Sequence, residues 1–320
     1  MKELPRFLQE KINSPPAAGA GVHDWMFDVA RNLHAHWPIG EIETLLRSKL
    51  AKCGRKVPDR EIKAALANSI NFAWQPKPDL GYTVAAPIEP DLKQIEFEAL
   101  RGRGQADLFH YSPFTFDDDY NCEIVINQLF PDNPLLCCGK TAYQFETKTR
   151  EEWRGSLEQQ SFIVPSPMKS LTGVTQEGKI SAHCLDNTGP RRFLVVEFDF
   201  QEKDKHGNLT PFTPMLRRLS AKGITVHDVC AALLFALNDV TPMTLAVSSG
   251  GKSTHGWWYC MGVSDDKLKP FWNHALKLGA DPKTWLKSQF IRMPDGTRDN
   301  KVRQSVLYFN PNTLPYPLKP

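Results

Sequence analysis

The sequence predicts a mixed α/β (α+β) protein, with a small helical bundle first and a larger strand-containing domain behind it. Amphipathic segments with helical spacing fill residues 1–75, whereas apolar strand-like runs such as 193–200 and 305–309 come later. With 320 residues, 41% of them hydrophobic, the chain is long enough for one large domain plus a small one.

The N-terminal part has the pattern of a compact three-helix bundle, whose third helix follows a start signal at Pro58-Asp59. Proline-rich sequence then predicts a linker at residues 76–95. The predicted helices span residues 22–35, 39–50 and 59–74, and the predicted domains on either side of the linker span 1–75 and 96–320.

Short strands separated by polar turns are predicted in the first part of the larger domain. We expect a short helix to begin at residue 151. The acidic run Asp117-Asp118-Asp119 lies in a turn-like stretch, so a solvated loop is favoured over a metal site there. The predicted strands are 123–127, 135–138 and 161–165.

The strand-like run at residues 193–200 carries two carboxylates, Glu197 and Asp199. Side chains alternate faces along a strand, so both acids point the same way, about 7 Å apart. Two acids on a dry strand repel each other unless a cation lies between them, and Mg²⁺ or Mn²⁺ prefers such oxygen ligands. The pair therefore indicates two-metal phosphoryl or nucleotidyl transfer, with a solvated acidic strand face as the alternative.

A glycine-rich turn follows the apolar strand at residues 245–247 and leads into an aromatic strand. Glycines let backbone N–H groups approach phosphate oxygens, and Lys252 and Ser253 add a charge and a hydroxyl donor. His255 lies two residues after Ser253, so both are expected to face one pocket. The alternative for His255 is a histidine that only hydrogen-bonds within the core.

Residues 246–253 also fit a relaxed P-loop pattern in which alanine replaces the first glycine. A P-loop leads directly into a helix, whose N-terminus holds the phosphate. The residues that follow here, including Trp257 and Trp258, favour a strand instead. A P-loop nucleotide hydrolase is therefore a lesser alternative.

A third acidic position follows the predicted helix 267–278, which ends at Gly279, a typical C-cap residue. Asp281 could supply a third carboxylate, and Arg292, on a short strand, could bind a triphosphate. An Asp before a proline is also a common helix N-cap. Asp265 and Asp266 compete for the role of third acid.

Taken in order, these motifs resemble those of the archaeo-eukaryotic primase superfamily, over roughly residues 100–310. That family has two acids flanking an apolar residue on a strand, a small-residue turn ending in Ser-x-His, and an apolar-Asp motif often followed by an Arg-bearing strand. Glu in place of the first Asp departs from the more frequent Asp-x-Asp. The matching residues are Glu197 and Asp199, Ser253 and His255, Ala280-Asp281, and Arg292.

The resemblance implies a two-lobed primase-type core with an RNA-recognition-like sheet, accompanied by the helical domain. It implies template-directed nucleotide joining on single-stranded DNA, with NTP or dNTP as substrate, in the replication of a phage or mobile element. A separate helicase is the implied partner. The implied roles are Glu197, Asp199 and Asp281 as ligands of two Mg²⁺ or Mn²⁺ ions, and Lys252, Ser253, His255 and Arg292 as phosphate-binding residues.

Composition sets wider limits on function. The net charge of +3 neither requires nor excludes nucleic acid. No apolar run reaches the length of a membrane span and the N-terminus lacks a signal-peptide pattern, so a cytoplasmic protein without membrane contact is expected. The seven cysteines lack zinc-site spacing and read as buried thiols. Candidate residues for a basic groove are Arg191, Arg192, Arg298, Lys301 and Arg303.

A second class of function competes with the enzyme. A nucleic-acid-binding or replication-initiator protein could keep the same fold without polymerising nucleotides. Such a protein should tolerate loss of Glu197 or Asp199, whereas the enzyme should not.

Overall fold

The computed structural model describes residues 4, 6–51, 53–54, 56–73, 88–115, 121–204, 206–298 and 300–315. The predicted acidic loop Asp117-Asp118-Asp119 and most of the predicted linker lie outside these residues. The chain divides into two units, residues 1–86 and 87–320. Within the described residues, no helix is both long and apolar enough to cross a membrane.

The N-terminal unit is helical. One face of each helix is apolar, and Met26, Leu46 and Ile62 from three of the helices meet in a single buried cluster. The three predicted helices are confirmed, although the third ends at Ile70, and the short first helix was not predicted. The helices are α1 (Arg6–Asn13), α2 (Val22–Leu33), α3 (Ile39–Leu50) and α4 (Asp59–Ile70).

The described residues of the second unit form six α-helices. The first begins at Leu92, so the end of the predicted linker is helical. The helix predicted at 267–278 is confirmed with shifted ends, and Gly279 follows it with a left-handed φ of 87°. The helices are α5 (Leu92–Leu100), α6 (Gln105–His110), α7 (Cys122–Leu129), α8 (Thr213–Ser220), α9 (Val226–Val240) and α10 (Asp265–Lys277).

Helix α7 corrects the strand predicted at 123–127. Asn121 caps its N-terminus, because the side-chain oxygen accepts hydrogen bonds from the backbone N–H groups of Glu123 and Ile124. Its buried residues, Val125 and Leu129 among them, follow helical spacing. Capping and burial therefore outweigh the β-branched residues that favoured a strand.

Alongside these helices, the part of the second unit that the structure describes contains two four-stranded antiparallel sheets and a two-stranded ribbon. The strands predicted at 135–138, 161–165, 193–200 and 305–309 are present with different bounds, since β1 is longer, β3 has only two residues and β6 ends at Phe198. The first sheet has the order β2-β1-β3-β9, from β1 (Leu135–Thr141), β2 (Gln144–Thr149), β3 (Phe162–Ile163) and β9 (Ile291–Arg292). The second has the order β10-β7-β8-β6, from β6 (Phe193–Phe198), β7 (Leu245–Ser248), β8 (Thr254–Tyr259) and β10 (Val306–Phe309), and the ribbon pairs β4 (Gly173–Val174) with β5 (Ile180–Ser181).

The second sheet is covered on both faces, which explains the apolar sequence of β6. Leu194 and Val196 pack with α9 in one core, whereas Phe193 and Val195 point the other way, into a core shared with the first sheet. Strand β8 pairs antiparallel with both β6 and β7, so β6 and β7 run parallel with β8 between them. Together with α9 this is a split β-α-β arrangement.

Candidate functional site

The two acids of the first motif lie at the end of β6, where the apolar strand meets solvent. Glu197 is the last residue but one of β6, and its side chain is 23% exposed. Asp199 follows the strand and is exposed, with Oδ2 accepting a hydrogen bond from Gln201 Nε2 at 2.9 Å. The sequence analysis placed both acids on the strand, whereas the structure places Glu197 on it and Asp199 just beyond its end.

His255 lies directly opposite Glu197 in the register of β6 and β8. Its Nε2 is 3.4 Å from Glu197 Oε1 and 3.3 Å from the hydroxyl of Ser253. His255 is 2% exposed, and its buried Nδ1 has no hydrogen-bond partner within the described part of the chain. The structure thus brings together the strand acid and both residues of the Ser-x-His motif.

The charge state of Glu197 follows from these neighbours. Burial would raise the pKa of its carboxyl group, but the charge of His255, hydrogen bonds from His255 and Ser253, and the charge of Arg292 together lower the pKa to about 2. Glu197 is therefore ionised at neutral pH.

The charges of Glu197 and Asp199 both affect the thiol pKa of Cys230, which lies on α9. Burial raises the pKa of its thiol to about 12, with the charges of Asp199 and Glu197 acting in the same direction. Its Sγ donates a hydrogen bond to the carbonyl oxygen of Phe198 at 3.4 Å. Two negative charges therefore act on one point beneath the end of β6.

Asp281 reaches the same site through its backbone. Its N–H donates to the carbonyl oxygen of Glu197 at 3.0 Å. Its side chain caps the 3-10 turn Pro282–Trp285, because Oδ1 accepts a hydrogen bond from the N–H of Lys283 at 2.9 Å. The backbone of Asp281 thus lies beside that of Glu197, while its side chain has the capping role that was the alternative to a third acid.

The glycine loop, residues 249–252, connects β7 to β8. Gly250 has a φ of 67°, a left-handed conformation that favours glycine. The N–H of Ser249 donates to the carbonyl oxygen of Ser253 at 3.0 Å, which closes the loop. Lys252 is exposed, while Ser253 is buried with its hydroxyl at His255.

No helix follows this loop. The residues after Ser253 continue directly as strand β8. A P-loop needs a helix N-terminus at this point to hold the phosphate. The local geometry is therefore unlike that of a P-loop.

Arg292 lies on β9 of the first sheet, and its charge acts on Glu197 of the second. Its guanidinium carbon is 4.5 Å from the ring centre of Phe162, the residue that pairs with it on β3. The stacking contact helps to orient the guanidinium.

Arg298 is tied to the glycine loop, a contact that the sequence did not reveal. Its Nη1 donates to the carbonyl oxygen of Ser249 at 3.3 Å. A Cβ atom on Gly251 would lie only 2.8 Å from the same Nη1, so glycine is what allows the guanidinium to approach. The sequence singled out Arg298 only as a general groove residue, because no short-range pattern connects it with a loop so far away in the chain.

Other candidate groove residues have structural roles. Arg191 is 9% exposed at its side chain and donates to the carbonyl oxygen of Trp285 at 2.8 Å. Arg192 is 9% exposed and donates to the carbonyl oxygen of Leu129 at 2.7 Å. Arg303 forms a two-point ion pair with the buried Asp295. These arginines do not form the basic groove that the sequence suggested.

The donor set can be compared with what Mg²⁺ or Mn²⁺ requires. Among the described residues, no group of three or more His, Cys, Asp or Glu residues is arranged to hold a metal ion. Glu197 and Asp199 nevertheless supply carboxylate oxygens at one strand end, and Oδ2 of Asp281 takes part in no hydrogen bond within the described residues. The donor chemistry fits these hard cations, with Asp281 as the ligand that would have to turn toward the pair.

No disulfide joins the seven cysteines, all of which lie in the described part of the chain, and all except Cys184 are buried. No protein-family model matches this chain, and no curated protein or solved structure matches it.

Proposed function

We propose that this protein is a primase-polymerase that joins nucleotides on a single-stranded DNA template. The observation that supports this most directly is the ionised Glu197 held between Ser253 and His255, with the backbone of Asp281 bonded to its own. Residues from three separate sequence motifs meet at one strand end. The motif order and the split β-α-β arrangement both agree with the resemblance to the archaeo-eukaryotic primases.

Each residue of the site has a proposed role. Glu197, Asp199 and Asp281 would hold Mg²⁺ or Mn²⁺, which when bound supplies charge neutralisation at the triphosphate and activation of the attacking hydroxyl. Phosphate oxygens would be bound by the exposed Lys252, the glycine-loop N–H groups, and the side chains Ser253, His255 and Arg292.

His255 is suited to a phosphate because of its unsatisfied atom. Its Nε2 is engaged by Glu197 and Ser253, whereas its buried Nδ1 has no partner within the described residues. A buried polar group without a partner is costly, and such groups recur at functional sites. The proposed substrates are NTP or dNTP, and a separate helicase is the proposed partner in replication.

The test is nucleotide incorporation on primed and unprimed single-stranded DNA, with Mg²⁺ or Mn²⁺ and both sugar types. The Glu197→Gln/Asp199→Asn variant should show no extension, because it keeps side-chain size but removes both charges. The control is Glu41→Gln/Glu43→Gln, a pair of acids two residues apart on α3 that has no proposed role in the site. We expect the control to extend primers like wild type, and activity in the first variant would refute the proposed site.

A binding or initiator protein is the second candidate, and one observation favours it. The side chain of Asp281 is engaged in capping, and no three-ligand metal group forms within the described residues. If wild type shows no incorporation under any condition but binds single-stranded DNA, this second function replaces the first.

A further inference from the structure

Two neighbouring cavities along the edge strand β2 join into one groove. The first has a volume of about 640 Å³ and the second of about 440 Å³. Lys140, Gln144 and Gln159 line both of them, so the two cavities adjoin along a shared wall. Residues of β1, β2, the 3-10 turn Leu157–Gln159 and the segment before residue 299 form its walls.

One end of the groove lies at the glycine loop. Arg298 lines the second cavity, and its Nη1 donates to the carbonyl oxygen of Ser249. The neighbouring Thr297 is held on both sides, since its N–H donates to the carbonyl oxygen of Glu158 at 2.7 Å and its own carbonyl oxygen accepts from Ser161 Oγ at 3.0 Å. Arg298 is therefore positioned where the groove meets the proposed phosphate-binding loop.

The lining of the groove carries more cations than acids, with Lys140, Lys148 and Arg298 against Glu146 and Glu158, which suits a chain that carries phosphates. Lys140 is exposed and forms no hydrogen bond or ion pair with any described residue, so its charge is available to a ligand. The side-chain amides of Gln144 and Gln159 are likewise exposed and can both donate and accept hydrogen bonds. Lys148 adds a second cation, shared with Glu146 and placed 4.6 Å from the ring centre of Trp153.

Tyr143 stands at the turn between β1 and β2, and it lines the first cavity. It is 95% exposed, the highest value among the large hydrophobic residues described. Its ring has no packing role in the protein, whereas a ring beside cations and amides is a stacking surface for an unpaired base.

We propose that this groove binds single-stranded nucleic acid, with a base stacked on Tyr143, a backbone phosphate at Lys140, and the strand directed past Arg298 toward the glycine loop. This inference rests on the proposed function, because it gives the template a path to that site. An exposed tyrosine, an unengaged lysine and a polar channel that ends at the candidate site support it together. Neither Tyr143 nor Lys140 belongs to the motifs that suggested the function.

The test is fluorescence anisotropy with a labelled oligothymidine, measured over a range of salt concentrations. Tyr143→Ala should weaken binding about 5- to 150-fold, which is the usual effect of losing one base–aromatic stack, whereas Tyr143→Phe keeps the ring and should bind like wild type. Binding weakens as salt rises, and Lys140→Gln should make the slope of log association constant against log salt less steep by about 0.7. That is the value for one phosphate contact on a single strand. Duplex DNA should bind more weakly, because its bases are already stacked.

The matched control is Lys222→Gln, an exposed lysine at the end of α8 that lines neither cavity. It should leave affinity and salt slope unchanged. Equal affinity and salt slope for wild type, Tyr143→Ala and Lys140→Gln would refute the proposal that this groove binds nucleic acid. Failure of the wild type to bind the oligonucleotide at low salt would refute it as well.

The proposal that the groove binds nucleic acid and the proposal of polymerase activity can be refuted independently. Groove-dependent binding without nucleotide incorporation supports the groove and removes the polymerase function. Incorporation that is insensitive to Tyr143→Ala and Lys140→Gln, on limiting template, keeps the polymerase function and overturns the groove.

Discussion

The backbone N–H of Asp281 donates to the carbonyl oxygen of Glu197 at 3.0 Å, which joins two acidic residues from distant parts of the chain. This contact covers the outer edge of β6, the last strand in the order β10-β7-β8-β6. The side chain of Asp281 meanwhile starts the 3-10 turn Pro282–Trp285. This hydrogen bond to Glu197 uses only backbone atoms. A substitution at Asp281 can therefore remove the carboxylate and leave the hydrogen bond in place.

Asp281→Asn and Asp281→Ala separate the charge of this residue from its capping role. Asn can still accept the hydrogen bond from Lys283, so its stability should match wild type, while Ala should lose about 1 kcal/mol. If the carboxylate binds metal, Asn should abolish nucleotide incorporation despite normal stability. Denaturant unfolding and primer extension on the same preparations check this, and full activity in Asp281→Asn would limit the residue to capping.

The pH dependence of stability should report on Glu197. Its pKa falls from 4.5 to about 2 on folding, so its stabilising contribution is complete above pH 4.5 and is lost as the pH falls toward 2. Since one pKa unit corresponds to about 1.4 kcal/mol, the contribution is about 3 kcal/mol. In urea unfolding between pH 2 and 6, Glu197→Gln should lose this part of the pH dependence. Identical profiles for wild type and Glu197→Gln would contradict the site.

The glycine loop should tolerate no side chain at position 250. A Cβ on Gly250 would lie 2.8 Å from Val302 Cγ1 and 2.9 Å from the carbonyl oxygen of Arg303, in addition to the cost of a φ of 67°. Gly178 has a φ of 78° with nothing within 4 Å of its Cβ position, so Gly178→Ala isolates the conformational cost, about 1–2 kcal/mol. Gly250→Ala should destabilise by at least 1 kcal/mol more, as overpacking usually does. Thermal and urea unfolding of the two variants make the comparison, and equal losses would mean that the loop adjusts freely.

The ion pair between Asp295 and Arg303 should stabilise the segment that follows Arg292. Both carboxylate oxygens of Asp295 accept from Arg303 at 2.6 Å, and the Asp295 side chain is only 4% exposed. Arg303→Ala would leave a buried carboxylate unpaired and should cost about 2–3 kcal/mol. Adding Asp295→Asn should recover part of that loss, because the buried charge is then gone. The control is Arg217→Ala, which breaks the exposed pair with Glu202 and should change the unfolding midpoint little.

Short-range patterns predicted the elements that have a clear period or a clear boundary. Helix α3 has the predicted bounds, and β6 was recognised by its apolar run because both faces of its sheet are covered. Helix α9 was missed for a related reason. Its residues 229–237 are buried on every side, so no amphipathic period is visible in its sequence.

The sequence predicted which residues belong to the candidate site but not which of them contact one another. Spacing predicted that Glu197 and Asp199 share a face and that Ser253 and His255 share a pocket. Strand register then decides that His255 lies opposite Glu197, and register depends on contacts between segments far apart in the chain. The contact of Arg298 with Ser249 has the same origin, which is why sequence alone did not reveal it.

The pairing of Glu197 with His255 also ties the site to the order of folding. A shift of one residue between β6 and β8 would turn the carboxylate to the opposite face, against the apolar side chains that pack with α9. Pairing of β6 with β8 is slow because the two strands are far apart in sequence. The entropy cost of closing the long intervening loop comes before any stabilising contact between the strands can form. During refolding, ligand binding at this site should therefore recover after helical circular dichroism has returned, since a chain with its helices formed but its strands out of register has no site at all.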